Sequence, residues 1–228
     1  DEASAWVRGR EGPAFVWVHL FDAHWPYRPP EPHRAAWEGR PYEGELAFQD
    51  AQLARLLEEV GEEWVVLVTG DHGEALGEGG EPTHGFLLGD ATVWVPLALA
   101  GPGVEAGVRW EEPVSHVDVA PTLLRLAGLE VGAEMVGRDL REGGTSEVYS
   151  EAMTGRYALG LAELVARTDG RGRTTRGAWT GWSAWGSAEV WAASGEEVAA
   201  LDGLVGGLGV GGAEGASGGG SGGGWLPG

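Results

Sequence analysis

An aspartate and a histidine stand side by side at Asp71-His72, directly after the apolar run Trp64-Val65-Val66-Leu67-Val68-Thr69 and between Gly70 and Gly73. A carboxylate and an imidazole on adjacent residues can offer a divalent cation one hard oxygen and one nitrogen. The flanking glycines let the backbone bend sharply around the pair. The β-branched run before it has the pattern of a strand buried on both faces. In open α/β sheets, ligands bind just beyond the carboxyl ends of strands, where such a pair would lie. The same two residues also suit an ordinary strand-end turn, with Asp71 capping local amides and His72 in solvent.

Two further histidines stand in comparable places. His24 follows the compact apolar run Ala14-Phe15-Val16-Trp17-Val18-His19-Leu20, read as another buried strand. Pro26, Pro29 and Pro30 forbid a helix after it and stiffen the loop. His84 closes the glycine-rich segment Glu78-Gly79-Gly80-Glu81-Pro82-Thr83-His84-Gly85. Loops on one rim of a sheet can gather groups that are distant in sequence. A carboxylate and several imidazoles there could hold a metal and clamp the oxygens of an anion. Taken singly, each histidine also reads as an ordinary solvated or partly buried residue.

The elements that must position these groups are legible between them. Leu46, Leu53, Leu56, Leu57 and Val60 form one stripe at helical spacing, which predicts a helix over 42–60 with Gly61 as its C-cap. Strand, helix and strand in that order predict a βαβ unit with parallel strands. The run 92–100 continues the sheet, with Pro96 at a strand start, an edge or a bulge. Asp118 is a natural N-cap for a helix with Pro121 in its first turn and Gly128 at its close. Val148-Tyr149-Ser150 reads as one more short strand. From Gly203 onward glycine dominates, which predicts a flexible tail over 203–228.

Composition excludes several classes. The 228 residues carry 15 basic and 35 acidic side chains, for a net charge of −20. That opposes binding to nucleic acid or to anionic membranes. All basic residues are Arg, and 42 Gly and 12 Trp accompany them, a pattern of GC-rich coding. Without Cys there is no disulfide, thiolate metal site or cysteine nucleophile. No apolar run reaches the roughly 18 residues that would span a membrane. The first residue is Asp1, and the chain reads as a piece beginning in mid-protein.

Five blocks carry a resemblance to a known family: "HLFDAHWPY", "YEGELAFQDAQLARLLEEV", "VVLVTGDHGEALGEGGEPTHGFLL", "VPLALAGPGV" and "VSHVDVAPTLLRLAGL". In order and spacing they resemble the later part of the catalytic domain of the sulfatase family, within the alkaline phosphatase superfamily. The resemblance implies an α/β fold, a mostly parallel sheet flanked by helices and lacking its N-terminal half. It implies a partial catalytic domain over 1–145, a small C-terminal subdomain over 146–202, and then the tail. Asp71 matches the aspartate that ligates a divalent metal, usually calcium, with zinc or manganese as alternatives. His72, beside it, faces the same metal. His24, in the His-x-Pro-Tyr motif, matches a histidine on the sulfate oxygens. His84 falls where the family places a Lys or His on the sulfate or the leaving-group oxygen.

Other matching positions read as structural: His19, His116 and the cap Asp118. Glu74 either supports the ligands or is a solvated loop carboxylate, and Glu78 reads as solvated. Gly79 departs from the family, which commonly has His there. The resemblance also implies a formylglycine nucleophile in a Cys/Ser-x-Pro-x-Arg motif, and neither Cys nor Ser-x-Pro-x-Arg occurs here. The expected function is therefore that of a fragment of a sulfatase acting on sulfate esters, inactive in isolation. The alternatives are a phosphodiesterase, phosphonate hydrolase or phosphotransferase of the same superfamily acting on phosphate esters, or a non-catalytic anion-binding remnant. A truncated sheet should also leave apolar edges uncovered and make the piece prone to association.

Overall fold

The computed structural model describes residues 2–144, 147–159, 164–169, 172–177 and 181–185. The glycine-rich stretch 203–228, read above as a tail, lies outside the described residues.

Helix α1 (Glu2–Arg8) is followed by a long extended stretch, a short helix α2 (His33–Ala36) and the main helix α3 (Pro41–Leu57). Pro41 occupies the first helical position, where its missing N–H costs nothing. The helix ends at Glu58, earlier than Gly61, with the last amides bonding back to Ala54 and Leu56. The buried residues of α3 are Gly44 and Glu45, while Leu46 and Leu57 are exposed. The leucine stripe is thus not the face that the fold covers.

Strand β1 (Val66–Thr69) pairs with β2 (Leu97–Ala100), and Pro96 directly precedes β2 as its sequence requires. Between them lie only a 3-10 turn at Glu78–Gly80 and the four-residue helix α4 (Asp90–Val93). The pairing is antiparallel, with Val66 opposite Ala100 and Thr69 opposite Leu97. This corrects the expected mostly parallel sheet. A parallel return needs a crossover, usually a full helix, and no such helix is present between β1 and β2. The run 14–20, expected as a parallel partner, forms no ladder, so the βαβ unit is not formed. Phe15 and Trp17 in that run are 72% and 82% exposed. β1 itself is half-buried instead of enclosed on both faces.

Helix α5 (Val119–Leu126) starts behind a 3-10 turn at His116–Asp118. Ser115 and Asp118 form a reciprocal capping box there, so Asp118, expected to cap α5 itself, caps the preceding turn instead. The buried Asp118 carboxylate also accepts the Arg138 amide at 2.8 Å, tying α5 to the following loop. Asp139 is buried in that loop and accepts both the backbone and the guanidinium of Arg141. Beyond it, β3 (Glu147–Ala152), helix α6 (Thr154–Leu159), β4 (Leu164–Asp169), β5 (Gly172–Gly177) and β6 (Gly181–Trp185) complete the described chain. β3 to β6 form an antiparallel meander, and β3 contains the short strand expected at 148–150. Leu88 packs with Ala152 and Ala166, joining the segment before α4 to this sheet. Burial of such a leucine stabilises by about 2 kcal/mol.

With Phe15, Trp17, Phe21 and Trp94 all exposed, the chain is expected to self-associate despite its −20 charge. Sedimentation velocity should show a weight-average mass that rises with concentration. A monodisperse monomer that melts cooperatively would contradict this.

Candidate active site

Three loops converge on one cluster of rings. His72 and His84 stack with centroids 4.0 Å apart, and His24 meets His84 edge-on at 5.3 Å. Phe21 stacks on the other side of His24 at 4.8 Å, and His19 meets Phe21 edge-on at 6.2 Å. The three histidines singled out from sequence are therefore together. Two others are not among them: His33 packs on Phe48 of α3, and His116 lies 3.3 Å from the Thr69 hydroxyl.

Local backbone contacts explain the convergence. The Thr69 hydroxyl at the end of β1 donates to the Pro96 carbonyl, closing the ladder where the loop begins. The Gly73 amide donates to the Thr92 carbonyl at 2.8 Å, and a Cβ at Gly73 would collide with the carbonyl oxygen of Ala91. Gly73→Ala is accordingly expected to destabilise the chain by about 2 kcal/mol, read as a lowered urea midpoint. Farther along, Ala75 bonds to Thr83 and Gly77 to Glu81, so the loop doubles back and carries His84 alongside Glu74.

Each of the three rings commits the same nitrogen. Nδ1 of His24 lies 2.7 Å from the Trp25 carbonyl, and Nδ1 of His72 lies 2.9 Å from the Gly73 carbonyl. A carbonyl only accepts, so both Nδ1 atoms carry the proton. Nδ1 of His84 lies 3.0 Å from the Glu74 carboxylate. On all three rings Nε2 is the nitrogen not used in that bond, and on His72 it lies 3.8 Å from the second Asp71 oxygen.

Glu74 is 4% exposed at its side chain, so it is a buried partner and not a solvated one. Its hydrogen bond is the main reason the His84 pKa is raised, with burial opposing it. The Tyr27 hydroxyl is buried without a hydrogen-bond partner. Burial first, then the charge of Glu74, pushes the Tyr27 pKa up, and Tyr42 is raised for the same two reasons. Glu78, in contrast, bonds only the nearby Leu76 amide, as a loop carboxylate would.

Asp71 stands at the rim with its side chain 77% exposed. One oxygen accepts the His72 amide at 3.0 Å, and the other lies 3.8 Å from His72 Nε2. Partial burial disfavours its anion, but the imidazole and amide of His72 outweigh this and hold the carboxyl below its usual range. An oxygen and a nitrogen at that separation fit two neighbouring positions around one divalent cation. Among the described residues, no group of three or more His, Asp or Glu side chains is arranged to hold an ion. The pair fits a metal as part of a shell and not as a whole one.

Sequence reasoning missed the residue that holds the His24 loop. Glu45 of α3 is 5% exposed and accepts the Ala23 amide at 2.8 Å and the Arg28 amide at 2.5 Å. Gln49, one turn on, donates to the Asp22 carbonyl at 2.7 Å. Ala23 has a positive φ of 63°, a conformation that costs a non-glycine residue roughly 1–2 kcal/mol. The available signal was the i, i+4 spacing of Glu45 and Gln49, but polar residues on a helix read by default as its solvent face.

The geometry thus places an exposed carboxylate beside three clustered imidazoles at the end of a strand. The chain belongs to the sulfatase family, whose profile matches residues 1–129. Over 76 residues it is 36% identical to arylsulfatase K of Mus musculus, covering 33% of this chain and 14% of that protein. Over 89 residues it is 37% identical to the 2,3-bisphosphoglycerate-independent phosphoglycerate mutase of Vibrio vulnificus, covering 39% of this chain and 16% of that protein. A solved structure in complex with its substrate D-glucosamine-2-N,6-O-disulfate has the same fold, with a TM-score of 0.51 at 21% identity. That match covers 64% of this chain and 33% of the other. The chain thus spans a minor part of the length of each of these relatives. Among the described residues, no helix is long and apolar enough to cross a membrane.

Proposed function

We propose that this chain carries the sulfate-binding side and part of the metal site of an enzyme that hydrolyses sulfate esters. The observation that carries the reading is the cluster of His24, His72 and His84, each with its Nδ1 committed, beside the carboxylate of Asp71. Asp71 and His72 would hold a divalent cation, calcium or else zinc or manganese, which as a Lewis acid would offset charge on the ester oxygens. His84 would donate from Nε2 to a non-bridging oxygen, and His24, whose Nδ1 already donates, would do so as its imidazolium, these bonds strengthening as charge develops in the transition state. Glu74 raises the His84 pKa and so favours the doubly protonated ring suited to that task.

A second reading, phosphoryl transfer, is supported by the likeness to a phosphoglycerate mutase. The same donors would serve a phosphate group, and the nucleophile would separate the two chemistries. Neither Cys nor Ser-x-Pro-x-Arg is present in the chain, so no turnover of an aryl sulfate by the purified chain is expected. Binding is the appropriate test. Inorganic sulfate added to histidine-labelled chain should shift the ring resonances of His24 and His84 together, leaving His33 unmoved. Sulfate-independent spectra would contradict the reading. Turnover that survives purification and disappears in Asp71→Ala would overturn the expectation of inactivity.

A further inference from the structure

We infer that Glu45 is a positioning residue for His24. The proposal takes its functional meaning from the oxyanion-donor reading of His24, while the positioning itself stands on geometry. Both oxygens of the Glu45 carboxylate are used, one on the Ala23 amide and one on the Arg28 amide. Those two amides bracket His24, Trp25, Pro26 and Tyr27, so one buried side chain closes the loop at both ends. Gln49 adds a third tie, to the carbonyl of Asp22. Gly44 brings the helix close, since a Cβ there would lie 2.9 Å from the Pro29 ring.

His24 makes its own hydrogen bond only to the adjacent Trp25 carbonyl, and its ring contacts are with Phe21 and His84 on other parts of the rim. The hydrogen bonds from this loop to the main helix are those of Glu45 and Gln49, beside a ring contact of Tyr27 with Tyr42 at 5.4 Å. Glu45 also holds Ala23 in its left-handed conformation, which the loop would otherwise relax out of. Release of the carboxylate should let the loop swing and the His24 ring leave His84.

The test uses the full 228-residue chain. Glu45→Gln keeps the size of the side chain but has one acceptor oxygen and turns an N–H donor toward the other amide. Exchange at the Ala23 or Arg28 amide should become faster by about tenfold or more. The His24 ring should lose its nuclear Overhauser contacts to His84, while α5 amides keep their protection. Gln49→Ala removes only an exposed contact and should move the His24 resonances in the same direction, by less. If Glu45→Gln does not fold, Gln49→Ala decides alone, and unmoved His24 resonances there overturn the proposal. An even rise in exchange through α3 and α5, with His24 contacts intact, would likewise overturn it and leave Glu45 a general stabiliser. A wild-type His24 that ignores sulfate would instead defeat the oxyanion reading, leaving the ring-geometry result to stand or fall separately.

Discussion

Asp71→Ala is expected to abolish divalent-cation binding by this chain. Asp71 pairs its carboxylate with His72 at the rim, its second oxygen lying 3.8 Å from His72 Nε2. It stays ionised well into the acid range because His72 supports its anion. Loss of a mere supporting group costs about 10–100-fold in metal affinity, and loss of a ligand from an incomplete shell should exceed that. Calorimetric titration with calcium, and separately with manganese, measures the effect. The companion His72→Ala sharpens it. Calcium favours oxygen donors, so its binding should depend far more on Asp71 than on His72, whereas zinc or manganese should feel both losses. Undiminished binding in Asp71→Ala would remove the assigned site.

The second large effect is expected for Glu74→Gln. His84 owes its raised pKa first to the hydrogen bond with Glu74, against the opposing pull of burial. Without the carboxylate, burial is opposed only by the smaller influence of Glu81 and Asp71, and the pKa should fall. The direction of the pH dependence follows. A raised folded-state pKa contributes stability that is fully present below the unfolded value near 6.5 and is lost as pH rises through the folded value. Wild type should therefore exceed Glu74→Gln in stability at mildly acid pH, and this charge-linked part of the difference should vanish on the alkaline side. Sulfate binding should show the complementary pattern. Where the variant's His84 is neutral with its proton on Nδ1, Nε2 becomes an acceptor facing an anion. Affinity should drop about tenfold there, the scale of one charge-assisted hydrogen bond, and recover as the ring is protonated in acid. A loss of affinity independent of pH would show that Glu74 acts only by packing.

Much of this site was legible in the residues themselves. Asp71, His72, His24 and His84 all sit in motif blocks, and the structure brings the three imidazoles into one cluster. α3 and α5 follow from helical spacing, though α3 closes before Gly61, and Pro96 directly precedes β2. Strand pairing was not legible. The direction of β2 relative to β1 depends on how the long loop between them folds, and an apolar run such as 14–20 does not specify its partner. Glu45 was hidden for a different reason. A buried carboxylate on a helix is identified only by the backbone amides it meets, and those belong to a loop some twenty residues earlier. Glu74 stood between two readings until its burial and its bond to His84 decided for support of the site.

The most direct test of the site is paramagnetic broadening of the six histidine ring signals by substoichiometric manganese. His72 should broaden first, followed by His84 and then His24, in keeping with centroid separations of 4.0 Å from His72 to His84 and 5.3 Å from His84 to His24. His33, packed on Phe48 beside α3, should stay sharp, and Asp71→Ala should protect all of them. Uniform broadening, or a His33 signal lost before His72, would contradict a metal site at Asp71 and His72 bordered by His84 and His24.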